Sequence, residues 1–171
     1  TEKNPELDDK QKGHIAEVVG VSAVKYADLS KNRASDYVFN WETMLSFDGN
    51  TAPYLLYAYA RIQSLIVRYE KRFNCNDNKI INISFSEERT LLIKIQQLDE
   101  ALDSVSRELA PNLLCNYLYE LAGTFMSFYE ACPILNALED TRRTRLAIAV
   151  LTAEALKQGL EMLGINPLDK M

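Results

Sequence analysis

Hydrophobic residues recur at helical spacing along most of the chain. In residues 86–110 the apolar positions are three or four apart, which predicts an amphipathic helix: Leu91, Leu92, Ile95, Leu98, Leu102 and Val105. Ser86 is predicted to cap this helix and Ala110-Pro111 to end it, because the residue before a proline avoids the helical region. Residues 111–131 are apolar on nearly every side, which is typical of a helix buried in the middle of a bundle.

Two more long helices complete this pattern. One starts after Thr51, with Pro53 in its first turn, and contains no helix-breaking residue as far as about residue 72. The other covers residues 141–163 and ends at Gly164, a favourable residue at a helix C-terminus. Four long helices joined by short links predict an all-α bundle.

The first 50 residues differ from this bundle. Residues 7–30 predict a helix that Gly20 divides into two pieces, since glycine costs about 1 kcal/mol inside a helix. Residues 31–50 are polar and rich in turn-forming residues, and a boundary is expected near residues 48–50. A further loop is expected at residues 74–79.

Charge weakens the case for nucleic-acid binding. The net charge is −5; residues 1–50 contain 6 Lys and Arg against 9 Asp and Glu, and residues 51–171 contain 13 against 15. Proteins dedicated to nucleic acids usually carry a basic surplus, because phosphate contacts supply much of the affinity. Any such function would have to use local basic clusters.

The sequence also narrows the cellular context. It contains no apolar run of about 18 residues that could cross a membrane and no apolar signal segment near the start. The three cysteines (Cys75, Cys115 and Cys132) are widely spaced, which predicts reduced thiols in the cytoplasm rather than a disulfide framework or a zinc site. The chain begins at Thr1 rather than a methionine, as expected for a piece of a longer protein.

No catalytic constellation is visible in the sequence. His14 is the only histidine and lies in a polar stretch, where a surface role is favoured. Glycine-rich phosphate loops are missing, and the Glu87-Glu88 pair stands at a helix start, where acidic residues complement the helix dipole. We therefore predict neither a catalytic residue nor a metal or other cofactor for this chain.

Aromatic and basic residues alternate on one face of the helix that follows Thr51. Positions 54, 57, 61, 65 and 68 share this face, which places Tyr54, Tyr57, Arg61 and Arg68 together. Such a face could stack unpaired bases and hold phosphates. Alternatively, the tyrosines belong to the core and the arginines are a solvated flank.

A second basic cluster opens the last helix. Arg142, Arg143 and Arg145 lie close to the predicted helix N-terminus, where guanidinium groups and the helix dipole would attract phosphate. The same residues could equally be a solvated basic start to a helix. Tyr129 lies near the end of the apolar helix and is either a core residue or presented at a rim.

Three stretches of this sequence resemble bacterial arginyl-tRNA synthetases. Residues 19–64 are similar to a segment that follows the active site in that family, and residues 116–135 are similar to its central helix. Residues 143–171 resemble its terminus, which here ends in GINPLDKM. These stretches occur in the family's order and span most of the chain.

This resemblance implies a fold and a function. Residues 51–171 would form an all-α helical bundle of the class I synthetase anticodon-binding (DALR) type, and residues 1–50 the tail of the catalytic domain, linking to it and contacting tRNA. The full enzyme would attach arginine to tRNA(Arg) with ATP and Mg²⁺. The family's two ATP-binding signatures, HIGH and KMSKS, have no counterpart here, so this chain should be inactive alone.

The resemblance also implies which residues meet the tRNA. The family's anticodon-contacting positions fall on Tyr54, Tyr57, Tyr129 and Met171. The basic residues expected to contact the tRNA come instead from the two basic clusters described above, and they are Arg61, Arg142 and Arg145. The implied partners are tRNA(Arg) and the upstream catalytic domain, with neither membrane nor DNA. Asn40 departs from the family, which commonly has an acidic residue there.

Two other classes of function remain open from the residues alone. A helical protein-interaction module without RNA binding would fit the negative charge. A small free-standing enzyme would require a site that the sequence does not show.

Overall fold

The computed structural model describes residues 8–73 and 82–171, and all of their regular secondary structure is α-helical. The predicted all-α fold is confirmed. The predicted loop at residues 74–79 lies outside the described residues, as does Cys75. In chain order the helices are α1 (Asp9–Leu29), α2 (Trp41–Met44), α3 (Ala52–Glu70), α4 (Ser86–Gln96), α5 (Leu98–Glu108), α6 (Asn112–Ala131) and α7 (Glu139–Met162).

Helix α6 is the centre of the bundle, as its apolar sequence predicted. It packs against α3, α4, α5 and α7, and its buried side chains include Leu118, Leu121, Phe125 and Phe128. A methyl group added at Gly159 of α7 would lie 2.5 Å from a methyl carbon of Leu118, so glycine permits this close approach of α7 to α6. The remaining helices are positioned by their contacts with this core.

Helix α1 is continuous, so the predicted division at Gly20 is wrong. Its Ala23 and Tyr26 are buried against the bundle, and the Tyr26 hydroxyl lies 2.9 Å from the carbonyl oxygen of Cys115 in α6. This packing offsets the modest cost of one glycine in a helix. A reciprocal capping box between Asp8 and Gln11 begins the helix.

The helix predicted over residues 86–110 is instead two helices that meet at Gln97. The Tyr117 hydroxyl of α6 lies 3.0 Å from the Lys94 carbonyl oxygen and 3.2 Å from that of Ile95. The Tyr117 hydroxyl thereby supplies a hydrogen-bond partner for carbonyl groups at the end of α4, which in a continuous helix would be paired with backbone N–H groups alone. The predicted apolar stripe does face the core across both pieces.

Ser86 is the first residue of α4 rather than its cap, which corrects a second prediction. The carboxylate of Glu88 accepts hydrogen bonds from the backbone N–H groups of Ser84 (2.9 Å) and Phe85 (3.2 Å).

At the other end of the bundle, Gly164 ends α7 as predicted. Its φ is 69°, and the N–H of Ile165 donates to the Leu160 carbonyl oxygen in a Schellman motif.

Arg145 is part of the interior, which corrects the expectation of a surface cation. Its exposure is 4% and that of Glu88 is 0%, and Nε of Arg145 lies 2.7 Å from Oε1 of Glu88. Arg145 also donates to the carbonyl oxygen of Pro133 at 2.7 Å, and its guanidinium lies over the Phe85 ring. Paired and hydrogen-bonded, the charge joins α7 to the start of α4.

Burial alone would raise the pKa of Glu88. The Arg145 guanidinium and the two backbone N–H groups outweigh this effect and hold the pKa below its usual value.

Cys115 and Cys132 are buried free thiols, and burial raises the pKa of Cys115 to about 12. Across residues 8–73 and 82–171, no helix combines the length and the apolar character needed to span a bilayer.

We predict that Glu88→Gln lowers the free energy of unfolding by about 3–5 kcal/mol, because it leaves Arg145 buried without its counter-charge. Urea denaturation followed by circular dichroism at pH 7 measures this. Since the folded pKa of Glu88 is depressed, the contribution of the ionised pair is present above the unfolded pKa and disappears as pH falls through the folded value. The difference between wild type and variant should therefore shrink in acid.

Glu139→Gln is the matched control for this prediction. Glu139 pairs with Arg143 at i,i+4 on the surface, with 61% of its side chain exposed. Its loss should change the stability by less than about 1 kcal/mol. Equal losses for the two glutamine variants would contradict a special role for the buried pair.

Candidate functional site

The candidate face of α3 is positioned by the start of the helix. The Thr51 hydroxyl caps α3 by accepting from the N–H of Tyr54 at 3.3 Å, and it donates to the Ser46 carbonyl oxygen at 2.7 Å. The helix start is therefore fixed to the preceding turn. The face itself is divided: Leu65 is buried, whereas Tyr57 is 39% exposed.

Exposed Tyr57 and the half-buried residues Arg61 and Tyr129 form the accessible part of the candidate site, which we call the α3–α6 surface. Tyr57 and Arg61 are one turn apart on α3, and the Arg61 guanidinium carbon lies 4.8 Å from the centre of the Tyr129 ring on α6. Tyr129 rests on buried Phe125, with ring centres 5.9 Å apart. The surface thus combines aromatic rings with a cation whose position a ring helps to fix.

Tyr54 lies deeper than Tyr57. Its ring meets that of Tyr119 at 5.5 Å, and its hydroxyl would be 4.0 Å from a methyl group added at Gly123 of α6. Burial and the nearby Tyr119 raise the pKa of Tyr54. The Tyr54 side chain therefore lies at the contact between α3 and α6, and it adds little exposed area to the α3–α6 surface.

The basic start of α7 does not form the predicted open cluster. Arg145 is buried, and Arg143 pairs with Glu139. Arg142 is half-buried: its guanidinium carbon lies 3.7 Å from the centre of the Phe73 ring, and it donates to the Ala137 carbonyl oxygen at 3.2 Å. These three guanidinium groups are largely engaged within the protein.

The first turn of α7 is acidic as well, since Glu139 and Asp140 occupy it. These carboxylates complement the positive end of the helix dipole. They would repel a phosphate from the place where the sequence suggested one.

The last residues of the chain are attached to the bundle. Lys25 of α1 donates from Nζ to the Gly164 carbonyl oxygen at 2.8 Å, and Ile165 is buried. Met171 is partly buried against the core. Burial raises the pKa of Tyr59 in α3, and the carboxylate of Asp169 raises it further.

Some residues beside the site were missed from the sequence. Phe47 is 53% exposed and meets Tyr57 edge to face, with ring centres 6.2 Å apart. The one feature of the sequence that could have indicated Phe47 is its position as an aromatic residue just before the turn at residues 48–50. Lys25 gave no signal, because its partner is a carbonyl group far away in the sequence.

The described part of the chain does not bring together a metal-ligand set. Among those residues, no group of three or more histidine, cysteine, aspartate or glutamate side chains is arranged to hold a metal ion. His14 is exposed on α1. The α3–α6 surface offers tyrosine rings for stacking and the Arg61 guanidinium group for hydrogen bonding and charge attraction.

Comparisons with known proteins match this picture. The model of the DALR anticodon binding domain family matches residues 55–171, and that of the catalytic domain of class I tRNA synthetases (R) matches residues 1–41. The arginine–tRNA ligase of Marinomonas sp. (strain MWYL1) is 54% identical over 169 residues, and that of Haemophilus influenzae (strain PittEE) is 52% identical over 171. Each match covers 99% of this chain but only 29% and 30% of the respective ligase.

Solved structures agree with the sequences. The arginyl-tRNA synthetase of Thermus thermophilus superposes with a TM-score of 0.88 at 29% identity, covering 99% of this chain and 29% of that one. The arginyl-tRNA synthetase of Plasmodium falciparum superposes with a TM-score of 0.80 at 31% identity, covering 92% of this chain and 28% of that one. The expected resemblance to arginyl-tRNA synthetases is thus confirmed, and with a family model matching more than half of its residues, the chain belongs to the DALR anticodon binding domain family.

Proposed function

We propose that this chain binds the anticodon region of tRNA(Arg) through the α3–α6 surface. The observation that carries the proposal is the Arg61 guanidinium over the Tyr129 ring, with exposed Tyr57 one turn away. An anticodon loop offers unpaired bases, whose flat faces stack on tyrosine rings and on guanidinium planes. The arginine also brings positive charge next to the backbone phosphates.

The other candidate residues take different parts in this proposal. Tyr54 packs against Tyr119 of α6 at the contact between the two helices, and Met171 adds apolar surface at the end of the bound tail. Arg142 contributes a weak, partly screened charge, because Phe73 and a carbonyl group already engage it. Arg145 serves stability instead of binding.

We also propose that residues 51–171 are the anticodon-binding bundle and residues 1–50 the tail of a catalytic domain that contacts tRNA. The two family models, which cover residues 55–171 and 1–41, support this division. Helix α1 packs against α3 and α6. Through these contacts, α1 would connect a tRNA-binding bundle to the catalytic domain whose tail α1 is proposed to belong to.

The whole enzyme is proposed to be an arginine–tRNA ligase of the cytoplasm. It would join arginine to tRNA(Arg) using ATP and Mg²⁺, with its own catalytic domain as the partner of this bundle. The ATP-dependent step is proposed to belong to that catalytic domain, because this chain contains neither ATP signature of the family. The alternative of a protein-interaction module without RNA binding gains no support from the relatives.

We predict that Tyr57→Ala and Tyr129→Ala each weaken binding of a tRNA(Arg) anticodon hairpin about tenfold or more, since a stacked base contributes about 1–3 kcal/mol. Fluorescence anisotropy of a labelled hairpin measures this. Tyr57→Ala should leave the melting temperature nearly unchanged, because that side chain is exposed.

Tyr69→Ala separates packing from binding. Tyr69 lies on the same helix but is only 3% exposed, so its truncation should lower the melting temperature strongly. Its effect on hairpin affinity should be confined to the loss of folded protein. A Tyr57 variant that behaves like the Tyr69 variant would show that Tyr57 is a packing residue and not a binding residue.

We predict a shallow salt dependence for hairpin binding. With two or three arginines reaching phosphates, the slope of log affinity against log salt should be about −1.4 to −2.1, at roughly −0.7 per single-strand contact. Arg68→Gln, which changes an exposed residue of α3, should reduce the slope by about one contact. A slope several times steeper would contradict an interface that depends on stacking.

We predict no arginine-dependent ATP–pyrophosphate exchange by the 171-residue chain. Its residues contain neither ATP signature of the family, and the catalytic-domain match ends at residue 41. The intact Marinomonas ligase serves as the positive control. Exchange by the purified chain above that of a heat-inactivated sample would contradict the division of labour proposed here.

A further inference from the structure

Gly123 lies in the middle of α6, where neither packing nor backbone conformation requires glycine. At Gly159 an added methyl group would collide with Leu118. At Gly123, by contrast, the one described atom beyond the helix itself that lies within 4 Å of such a group is the Tyr54 hydroxyl oxygen, at 4.0 Å. The φ angle of Gly123 is also not positive. Glycine is among the least favourable residues inside a helix, so the fold gives no reason for it here.

The space beside Gly123 borders a hydrogen-bonding group that the protein does not use. Within residues 8–73 and 82–171, the Tyr54 hydroxyl has no hydrogen-bond partner, and it is not shut off from solvent. The Tyr54 ring packs edge to face against Tyr119, which is 36% exposed. A group that enters this space would therefore find a hydroxyl that can donate or accept and an accessible aromatic ring.

This space adjoins the α3–α6 surface. Gly123 precedes Tyr129 by six residues on α6, which separates the two positions by about 9 Å along the helix axis. That is the length of about three stacked nucleotides at roughly 3.4 Å each. Two bases of one anticodon loop can therefore reach Tyr129 and Gly123 together.

The acids on this side of α6 favour a base over a phosphate. Glu120 pairs with Lys94 of α4, and Glu130 is exposed two turns beyond Gly123. An exposed carboxylate repels a phosphate, whereas an unpaired base is uncharged and stacks on aromatic rings.

We propose that Gly123 leaves room for a second base of the anticodon loop, which stacks on Tyr119 and forms a hydrogen bond with the Tyr54 hydroxyl. Gly123 is then a positioning residue, because it acts through the space that its missing side chain leaves. The inference rests on the proposed function, since it requires that the α3–α6 surface holds the loop.

Gly123→Ala and Gly123→Leu test this inference with the labelled anticodon hairpin. Gly123→Ala should raise the melting temperature by about 2–4 °C, because alanine favours the helix, and yet weaken hairpin binding. Gly123→Leu should fill the space and weaken binding about fivefold or more, as expected for the loss of one stacked base. Gly20→Ala is the matched control, because Gly20 lies inside α1 with no described atom within 4 Å. It should raise the melting temperature similarly and leave the hairpin affinity unchanged.

Tyr54→Phe tests the hydrogen bond, because it removes the hydroxyl and keeps the ring. In the otherwise unchanged chain it should weaken hairpin binding several-fold. In the Gly123→Leu chain it should have no further effect, since the base is already excluded. Hairpins with an abasic site at successive loop positions identify that base: at one position, Gly123→Leu should no longer weaken binding.

Three results would overturn the inference. Unchanged hairpin affinity in the folded Gly123→Ala and Gly123→Leu chains would mean that no base enters the space. Additive losses for Tyr54→Phe and Gly123→Leu would mean that the two residues do not share one base. Equal losses with every abasic hairpin would show that the leucine acts through the fold. Tyr57→Ala, measured in parallel, tests the proposed function separately: if it weakens binding and the Gly123 variants do not, the second base position alone is refuted.

Discussion

The rest of the structure depends on the burial of the apolar face of α6. This face carries Leu118, Leu121 and Phe125 and packs against the neighbouring helices α3, α4, α5 and α7, whereas polar residues such as Asn116, Glu120 and Glu130 are exposed. The polar groups on α6 then fix the outer elements: the Tyr117 hydroxyl meets the end of α4, and the Cys115 carbonyl oxygen meets Tyr26 of α1. Tyr129, one turn beyond Phe125, is set at the edge of this core.

Desolvation distinguishes the environments of Arg145 and Arg61. Arg145 lies in the interior, where an unpaired charge would be very costly, and its partners Glu88 and the Pro133 carbonyl group engage it fully. Arg61 lies at the rim over Tyr129, where solvent reduces that cost and a ring orients its guanidinium plane. On the proposed function, the half-buried Arg61 would exchange its contact with Tyr129 for a nucleotide, whereas its pairing with Glu88 holds Arg145 in the interior.

How far the sequence predicts this structure depends on the range of each interaction. Helical periodicity and end signals are local, so the bundle, the burial of α6 and the Gly164 terminus follow from the sequence. The break at Gln97 does not, because it depends on Tyr117 reaching over from another helix.

The candidate site divides in the same way. The face of α3 that carries Tyr57 and Arg61 follows from spacing along one helix. Which arginine is buried does not, since nothing near residue 145 indicates that Glu88, 57 positions earlier, would pair with it. The Arg61–Tyr129 contact joins α3 to α6, so it too becomes visible only when the two helices are packed together.

The acidic composition bears on selectivity as well as affinity. A strongly basic surface attracts every phosphate backbone alike, so it gains affinity for duplex and loop together. On the proposed function, a net negative chain with a small aromatic and arginine surface would gain little binding free energy from phosphates and most of it from stacking. Stacking requires bases whose faces are uncovered, and within a tRNA those of the anticodon loop are unpaired while stem bases are already stacked. On this proposal, the shortage of positive charge that first argued against nucleic-acid binding favours discrimination for an unpaired loop.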